Sequence, residues 1–270
     1  MVINMEKTIN NIRVKTVNKE WDVYFDMALV MLKEIMTNNA ANKKTVMIVP
    51  VGPTEQYPIL AKLVNQLNVS LKNVWFFNMD EYLIAPDKEI AHDHYMSFHK
   101  RMNDEFYSKI NSELVMPISQ RNFPSVGKEK EYDKMIEELG GVDLCLGGLG
   151  INGHIAFNEP AEANDKITAD EYAKLPTRVL PISRETKTIN AYGYQRGDLR
   201  GMPEWCITIG MKQILESRKI YIALNRVWQH GIVKHVLSDA PQPQIPATLL
   251  QKHDNVQIVM SEEIANGLGY

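Results

Sequence analysis

A chain of 270 residues, 44% hydrophobic and 23% charged, is long enough for a large α/β unit with a full core. Its net charge of −3 excludes the basic excess that marks a nucleic-acid partner. No apolar run approaches the ~18 residues of a membrane span, and the mixed polar stretch 1–21 holds no secretory apolar core, so a cytoplasmic protein without membrane contact is expected.

Taken in chain order, residues 21–36 place Trp21, Tyr24, Met27, Ala28, Met31, Leu32 and Ile35 at helical spacing. Thr45-Val46-Met47-Ile48-Val49-Pro50 is a short continuous apolar run, the pattern of a strand buried on both faces. A helical pattern follows over 54–67, then a strand over 74–77. Residues 95–110 and 128–139 read as helices, the latter stopped by Gly140-Gly141. A strand over 142–147 runs into a glycine loop. Strands are further expected at 206–209, 220–224 and 256–260, with a helix over 228–237 between the last two. The polar, acidic stretch 161–176 reads either as a lid or as an ordinary surface loop. Cys145 and Cys206 both fall in strand-like runs, which favours buried thiols over a disulfide or metal pair. With no internal repeat and no linker, residues 1–270 are expected to form one domain. Strands alternating with helices predict a doubly wound, three-layer αβα sandwich with a mostly parallel, Rossmann-like sheet.

The most informative stretch is Gly147-Gly148-Leu149-Gly150-Ile151-Asn152-Gly153-His154-Ile155-Ala156-Phe157-Asn158-Glu159-Pro160. Glycines at a strand end let the backbone turn and approach a ligand closely, and such strand ends are where open α/β sheets bind small molecules. His154 and Glu159 then bring titratable groups to that surface. A second strand end carries Phe77-Asn78-Met79-Asp80-Glu81-Tyr82. The cluster His92, His94 and His99 lacks further ligands at a metal-like spacing, so a solvated helix entrance is expected there and no metal.

These two segments, with Pro246-Ala247-Thr248-Leu249-Leu250-Gln251-Lys252-His253, resemble the motifs of the glucosamine-6-phosphate deaminase/isomerase family, in the family's order, over about residues 45 to 265. The resemblance implies a small-molecule sugar or sugar phosphate as ligand, no cofactor, and a homo-oligomer as a possible assembly. It implies Asp80 as the base moving a proton between C1 and C2, with Glu81 among the residues that contact substrate and Tyr82 supporting the site. It implies His154 as the ring-opening group, paired with Glu159. Backbone contacts to substrate fall to Gly148, Gly150 and Gly153, and to Gly52 and Thr54 in the first-strand loop.

The chain departs from the family at defined positions. Asn152 stands where the family has an Asp that forms a relay with the histidine. An amide accepts a hydrogen bond but does not stabilise an imidazolium by charge, and in the serine-protease template the equivalent change costs about four orders of magnitude. Pro50-Val51-Gly52-Pro53-Thr54-Glu55 replaces a phosphate-cradling loop, losing an N–H at Pro53 and gaining a negative charge at Glu55. Trp228 aligns with a family lysine, for which Arg226 is the nearest substitute. Tyr192 aligns with a family arginine, with Arg196 and Arg200 nearby. Three readings follow: a divergent isomerase or deaminase of an amino sugar or related sugar; a related sugar lactonase; or a non-catalytic sugar sensor.

Overall fold

The computed structural model describes residues 5–269. In chain order its elements are β1 (Met5–Ile9), β2 (Ile12–Val17), α1 (Glu20–Ala40), β3 (Thr45–Val49), α2 (Gln56–Leu67), β4 (Val74–Asn78), β5 (Asp80–Ala85), β6 (Lys88–Glu89), α3 (Phe98–Glu105), β7 (Arg121–Asn122), α4 (Glu129–Glu138), β8 (Leu144–Gly147), α5 (Ala169–Tyr172), β9 (Arg178–Pro181), α6 (Arg184–Tyr194), β10 (Trp205–Thr208), α7 (Met211–Leu215), β11 (Ile220–Leu224), α8 (Gln229–Ser238), β12 (Val256–Ser261) and α9 (Glu262–Ala265).

The main sheet runs β1-β2-β12-β11-β8-β3-β4-β7. Its neighbours pair in parallel everywhere except the β1–β2 hairpin at the edge. Its strands are apolar on both sides because both faces are covered. On β3, Val46 and Ile48 pack into the layer holding Tyr132 of α4 and Val233 of α8, while Met47 and Val49 pack into the layer of α1 and α2. Ile222 and Ala223 on β11 divide the same way. This period-two split produces the doubly wound, three-layer architecture that the sequence predicts.

Local signals set several boundaries. Gly140 and Gly141, with φ of 91° and 86°, end the α4 segment in the left-handed region where other residues are strained. The predicted helix over 95–110 is interrupted: α3 stops at Glu105 and a separate 3₁₀ turn covers Tyr107–Lys109. Part of the 161–176 excursion is ordered, because α5 carries a Thr168–Glu171 capping box and buries Tyr172. The 206–209 strand joins a different sheet from the one expected. As β10 it pairs antiparallel with β5 and β9 in a second sheet ordered β6-β5-β10-β9. Cys145 and Cys206 are free and buried.

The chain winds from β3 to β4 on one side and returns to β8 on the other. The carboxyl ends of β3 and β8 therefore flank the topological switch point, where a doubly wound sheet opens a crevice. The loops leaving those strands are 50–54 and 148–159. The second sheet stands beside them, with Asp80 on β5 next to Thr208 on β10.

Candidate active site

A cavity of about 640 Å³ opens at this switch point. It takes in the first-strand loop (Gly52, Pro53), Asp80, the glycine loop (Gly148, Gly150, His154), and the loop after β11 (Asn225, Arg226, Trp228). That volume suits a hexose-sized ligand. Asp80 and His154 thus face one space. Asn152, Glu159, Gly153, Thr54 and Glu81 do not line it, and each does something else.

His154 lies across bare backbone. A Cβ on Gly150 would fall 2.0–2.3 Å from its ring atoms, so only glycine lets the imidazole occupy this place. Gly153 turns the chain at φ 86°, with Ile245 filling the space a Cβ would need. Ala247 N donates to Gly153 O at 2.9 Å, so the 246–253 motif buttresses the loop from behind. His253 is itself structural, with its ring bonded to Ser217 O at 2.7 Å. Ala156 adopts φ 56°, a strained conformation held by the segment around it: Phe157 N donates to Thr208 Oγ1 and Asn158 Nδ2 to Ile209 O.

Behind the imidazole stands a fixed chain of hydrogen bonds. Asn152 Nδ2 donates to Glu159 Oε2 at 2.8 Å and to Ser183 Oγ at 3.2 Å. A carboxylate only accepts, so the amide nitrogen must face Glu159 and the amide oxygen must face His154. That oxygen lies 2.8 Å from His154 Nδ1, so Nδ1 carries the proton and the Nε2 lone pair is left for the cavity. Thr186 Oγ1 sits 3.1 Å from the same Nδ1, and Glu159 Oε2 3.7 Å away. Burial lowers the pKa of His154 below the ordinary imidazole value, with Glu159 opposing that shift. The ring is a neutral proton acceptor at physiological pH.

The two adjacent carboxylates on β5 have opposite fates. Glu81 accepts from Ser97 Oγ, Phe98 N, His99 N and its neighbour Tyr82 N. Its carboxylate is committed to the start of α3, which corrects the expectation that Glu81 contacts substrate; strand alternation turns it away from the cavity. Asp80 is buried, yet among the described residues no donor reaches its carboxylate. Burial, and then the charge of Glu81, push its pKa well above the usual carboxylate range. A buried, unpaired carboxylate facing a cavity is a strong proton acceptor. Of the three clustered histidines, His99 departs from the expected solvated entrance. It is stacked between His92 and Phe123 at 3.7 and 3.6 Å, and burial lowers its pKa to about 4.

The first-strand loop and the loop after β11 are closed by the chain's own side chains. Thr54 N donates to Glu55 Oε2 at 3.1 Å. Asn225 N and Arg226 N both donate to Gln229 Oε1 at 2.8 Å. Arg226 lines the cavity but pairs with Glu20 at 3.1 Å. Tyr24 OH joins the group, bonded to Glu20 and to Asn225 Nδ2. Glu20 and Tyr24 lie on α1, outside every motif, and are absent from the site that the sequence predicts. An acidic residue in the first turn of a helix whose start abuts the site is the signal that points to them.

The fold is that of solved glucosamine-6-phosphate deaminase and 6-phosphogluconolactonase structures. The structure superposes on a monomeric glucosamine-6-phosphate deaminase with TM-score 0.80 and 24% identity, covering 93% of this chain and 98% of that one. It also matches the 6-phosphogluconolactonase from Trypanosoma cruzi with TM-score 0.68 and 16% identity, covering 99% and 100%. No family model matches the sequence. Individual relatives do. The chain is 29% identical to glucosamine-6-phosphate deaminase from Clostridium perfringens strain 13 over 246 residues, covering 90% of this chain and 95% of that protein. It is 31% identical to that of Rhodopirellula baltica over 215 residues, covering 79% and 80%. The chain belongs to the glucosamine-6-phosphate deaminase family.

Proposed function

We propose that this protein is a divergent member of its family that isomerises an amino sugar or related sugar between aldose and ketose, with or without deamination. The observation that carries this reading is the pairing of two proton acceptors across one cavity: the donor-free carboxylate of Asp80 and the Nε2 lone pair of His154.

Their chemistry divides between the two steps. Nε2 of His154 takes the proton of the anomeric hydroxyl and delivers it to the ring oxygen, which opens the ring and leaves the imidazole neutral again. Asp80 then removes the proton from C2, generating an enol or enolamine. It returns that proton to C1 while the C1 oxygen gains a proton and the C2 hydroxyl gives one up, so the carbonyl moves to C2; where C2 carries an amine the same shift gives a C2 imine, which water hydrolyses to the ketose and ammonia. Asn152 and Glu159 hold the imidazole tautomer that makes the first step possible. Asp80 supplies a base whose raised pKa suits abstraction of a carbon acid. Expulsion of an amine is not needed for this cycle when C2 carries a hydroxyl; a 2-amino sugar stops at the imine unless water releases ammonia. Asn152 disfavours any step that requires a persistent imidazolium, because an amide brings no charge to balance it.

Both groups act in their deprotonated forms. The rate therefore rises with pH, and the limb set by Asp80 lies above the ordinary carboxylate range. The test is exchange of the C2 proton with solvent deuterium, followed by NMR alongside ketose formation. Asp80→Asn is expected to lower exchange by ~10³-fold, within the range of general-base contributions, while leaving sugar binding intact. Exchange at the wild-type rate in that variant would remove the basis of the proposal.

A further inference from the structure

The bonds behind His154 do not end at Asn152. Ser183 caps the start of α6, and Thr186 lies three residues on, buried in the first turn of that helix. Their two hydroxyls stand between the helix and the imidazole. Ser183 Oγ accepts from Asn152 Nδ2 and from Thr186 N, each at 3.2 Å. A hydroxyl oxygen has two lone pairs and one proton, so both acceptor positions are taken and the proton is left to donate. It goes to Thr186 Oγ1 at 3.0 Å. Thr186 Oγ1 in turn sits 3.1 Å from His154 Nδ1.

The amide fixes the direction of that last bond. Nδ1 carries its proton toward Asn152 Oδ1 at 2.8 Å. A Thr186 hydroxyl donating to Nδ1 would need a lone pair there, and that lone pair would face the amide oxygen. Thr186 Oγ1 is therefore a second acceptor on the same N–H, in a three-centre bond. Asn152, Ser183, Thr186 and His154 close a ring of four groups that holds no charge while the imidazole is neutral. Glu159 stands outside the ring, accepting from Asn152 Nδ2 and from Ser183 N.

This ring matters once the imidazole works. When Nε2 takes the proton of the anomeric hydroxyl, the Nδ1–H bond becomes charge-assisted. An Asp at 152 would meet the new charge with a carboxylate, whereas Asn152 meets it with an amide dipole. A second oxygen on that N–H supplies part of the difference. It also steadies the ring plane, because the terminal torsion of a histidine is soft and a second contact restrains it. The anchor is α6, whose later turns put Ile189, Asn190 and Tyr192 into the cavity wall. Asn190 Nδ2 donates to Tyr82 OH at 3.1 Å, which ties the helix to the second sheet. One helix thus sets both the imidazole and part of the wall it faces.

We propose that Thr186, oriented by Ser183, is a positioning residue that holds the His154 ring in plane and shares the Nδ1 proton with Asn152 when the ring is charged. The inference rests on the isomerase reading for its effect on rate, but not for its effect on the ring. The charged group that bears on His154 is Glu159, from the end of the same loop. Arg184 and Glu185, beside Thr186 on α6, are exposed.

The experiment compares wild type with Thr186→Val, which keeps the branched shape and loses the oxygen, and with Thr186→Ser, which keeps the oxygen. The ring nitrogens of protein labelled with 15N-histidine are followed by NMR across pH, and His154→Gln assigns the signal. Exchange at C2 and ketose formation are measured on glucosamine and on its 6-phosphate. Thr186→Val is expected to move the His154 titration downward, because an oxygen that favours the charged form is gone. Turnover is expected to fall about tenfold with KM little changed, the scale of one hydrogen bond to a charged group. Thr186→Ser should return both to near the wild-type values. Ser183→Gly costs a helix start little, and it should act in the same direction if Thr186→Val folds poorly.

A ring titration and a rate that Thr186→Val leaves at wild-type values overturn the proposal. So does a loss that Thr186→Ser does not restore. A lower melting temperature with the ring titration unmoved also overturns it, by making the hydroxyl a structural group only. A ring titration that moves as expected, with no exchange at C2 by wild type, leaves this inference standing and removes the isomerase reading. Exchange that depends on Asp80 and is untouched by Thr186→Val does the reverse.

Discussion

The glycine loop around His154 and the rim formed by the 50–54 and 225–228 loops are built from the same parts: a strand end, a bare or turning backbone, and the start of a helix. They use those parts in opposite ways. At His154 the hydrogen bonds are half-buried, and each one constrains the next, from Glu159 through the Asn152 amide to Nδ1. The outcome is a single unspent atom, Nε2, aimed at the cavity. At the rim the Thr54, Asn225 and Arg226 N–H groups are taken by the chain's own side chains, and Arg226 pairs with Glu20 at the surface, each nearly half exposed. Such a pair contributes only about 0–1 kcal/mol, so it is easily rearranged. The interlocked bonds behind His154 are not. The geometry around His154 is therefore fixed, while the rim pair is a contact that a single substitution alters.

Four variants would break or sharpen that contrast. The largest effect is expected at Gly150. Gly150→Ala drives a methyl into the imidazole, whose atoms lie 2.0–2.3 Å from the new Cβ, and turns His154 away from Asn152. Isomerisation should fall by ~10²-fold or more, the scale set by misplacing a reacting group by about 1 Å. The cost in stability should stay near the ~1–3 kcal/mol of overpacking. Full activity in Gly150→Ala would mean that the position of the ring is not what matters.

Glu81→Ala comes next, and it acts on stability. It removes a buried carboxylate that accepts from Ser97, Phe98 and His99 at the start of α3. The loss should be ~1–3 kcal/mol, as for stranded buried donors, read as a lower denaturation midpoint. Asp80→Asn should move the other way. The folded-state pKa of Asp80 is raised, so its favourable protonated state is lost as pH climbs through that value, and the neutral amide escapes this penalty. At neutral pH the melting temperature should rise by roughly 2–4 °C for each kcal/mol regained. A drop in Asp80→Asn would show that its carboxylate has a structural partner.

The smallest effect is expected at Asn152. An Asp there would set its oxygen against Glu159 Oε2, which now lies 2.8 Å from the amide nitrogen. The added charge raises the pKa of His154 toward or above its ordinary value, moving the acidic limb of the rate profile upward. Ammonia release from an amino-sugar phosphate should change little, because the rim is unaltered. Robust ammonia release by Asn152→Asp, against none by wild type, would place the divergence at this one residue.

Local pattern is legible in the chain order alone. The continuous apolar runs of β3, β8 and β11 announce strands buried on both faces, and the glycines beside His154 announce a turn against a ligand surface, because side-chain period and backbone freedom are properties of neighbouring residues. The same runs do not say which strand pairs with which. The Cys206 strand has the composition of the parallel sheet, yet it pairs antiparallel with β5, more than a hundred residues earlier in the chain. The β1–β2 hairpin alternates Ile12 and Val14 with polar residues, and it becomes legible only with β12 beside it.

Adjacent Asp80 and Glu81 are chemically alike in sequence. Only the docking of α3 decides that one is a structural acceptor and the other an open base. The tautomer of His154 depends on which way a neutral amide turns, and Glu159 sets that. Arg226 is a free cation on paper and a paired one in the fold, because Glu20 reaches it from 206 positions away. Charge and hydrogen-bond partners are chosen by proximity in space, which the chain order does not contain.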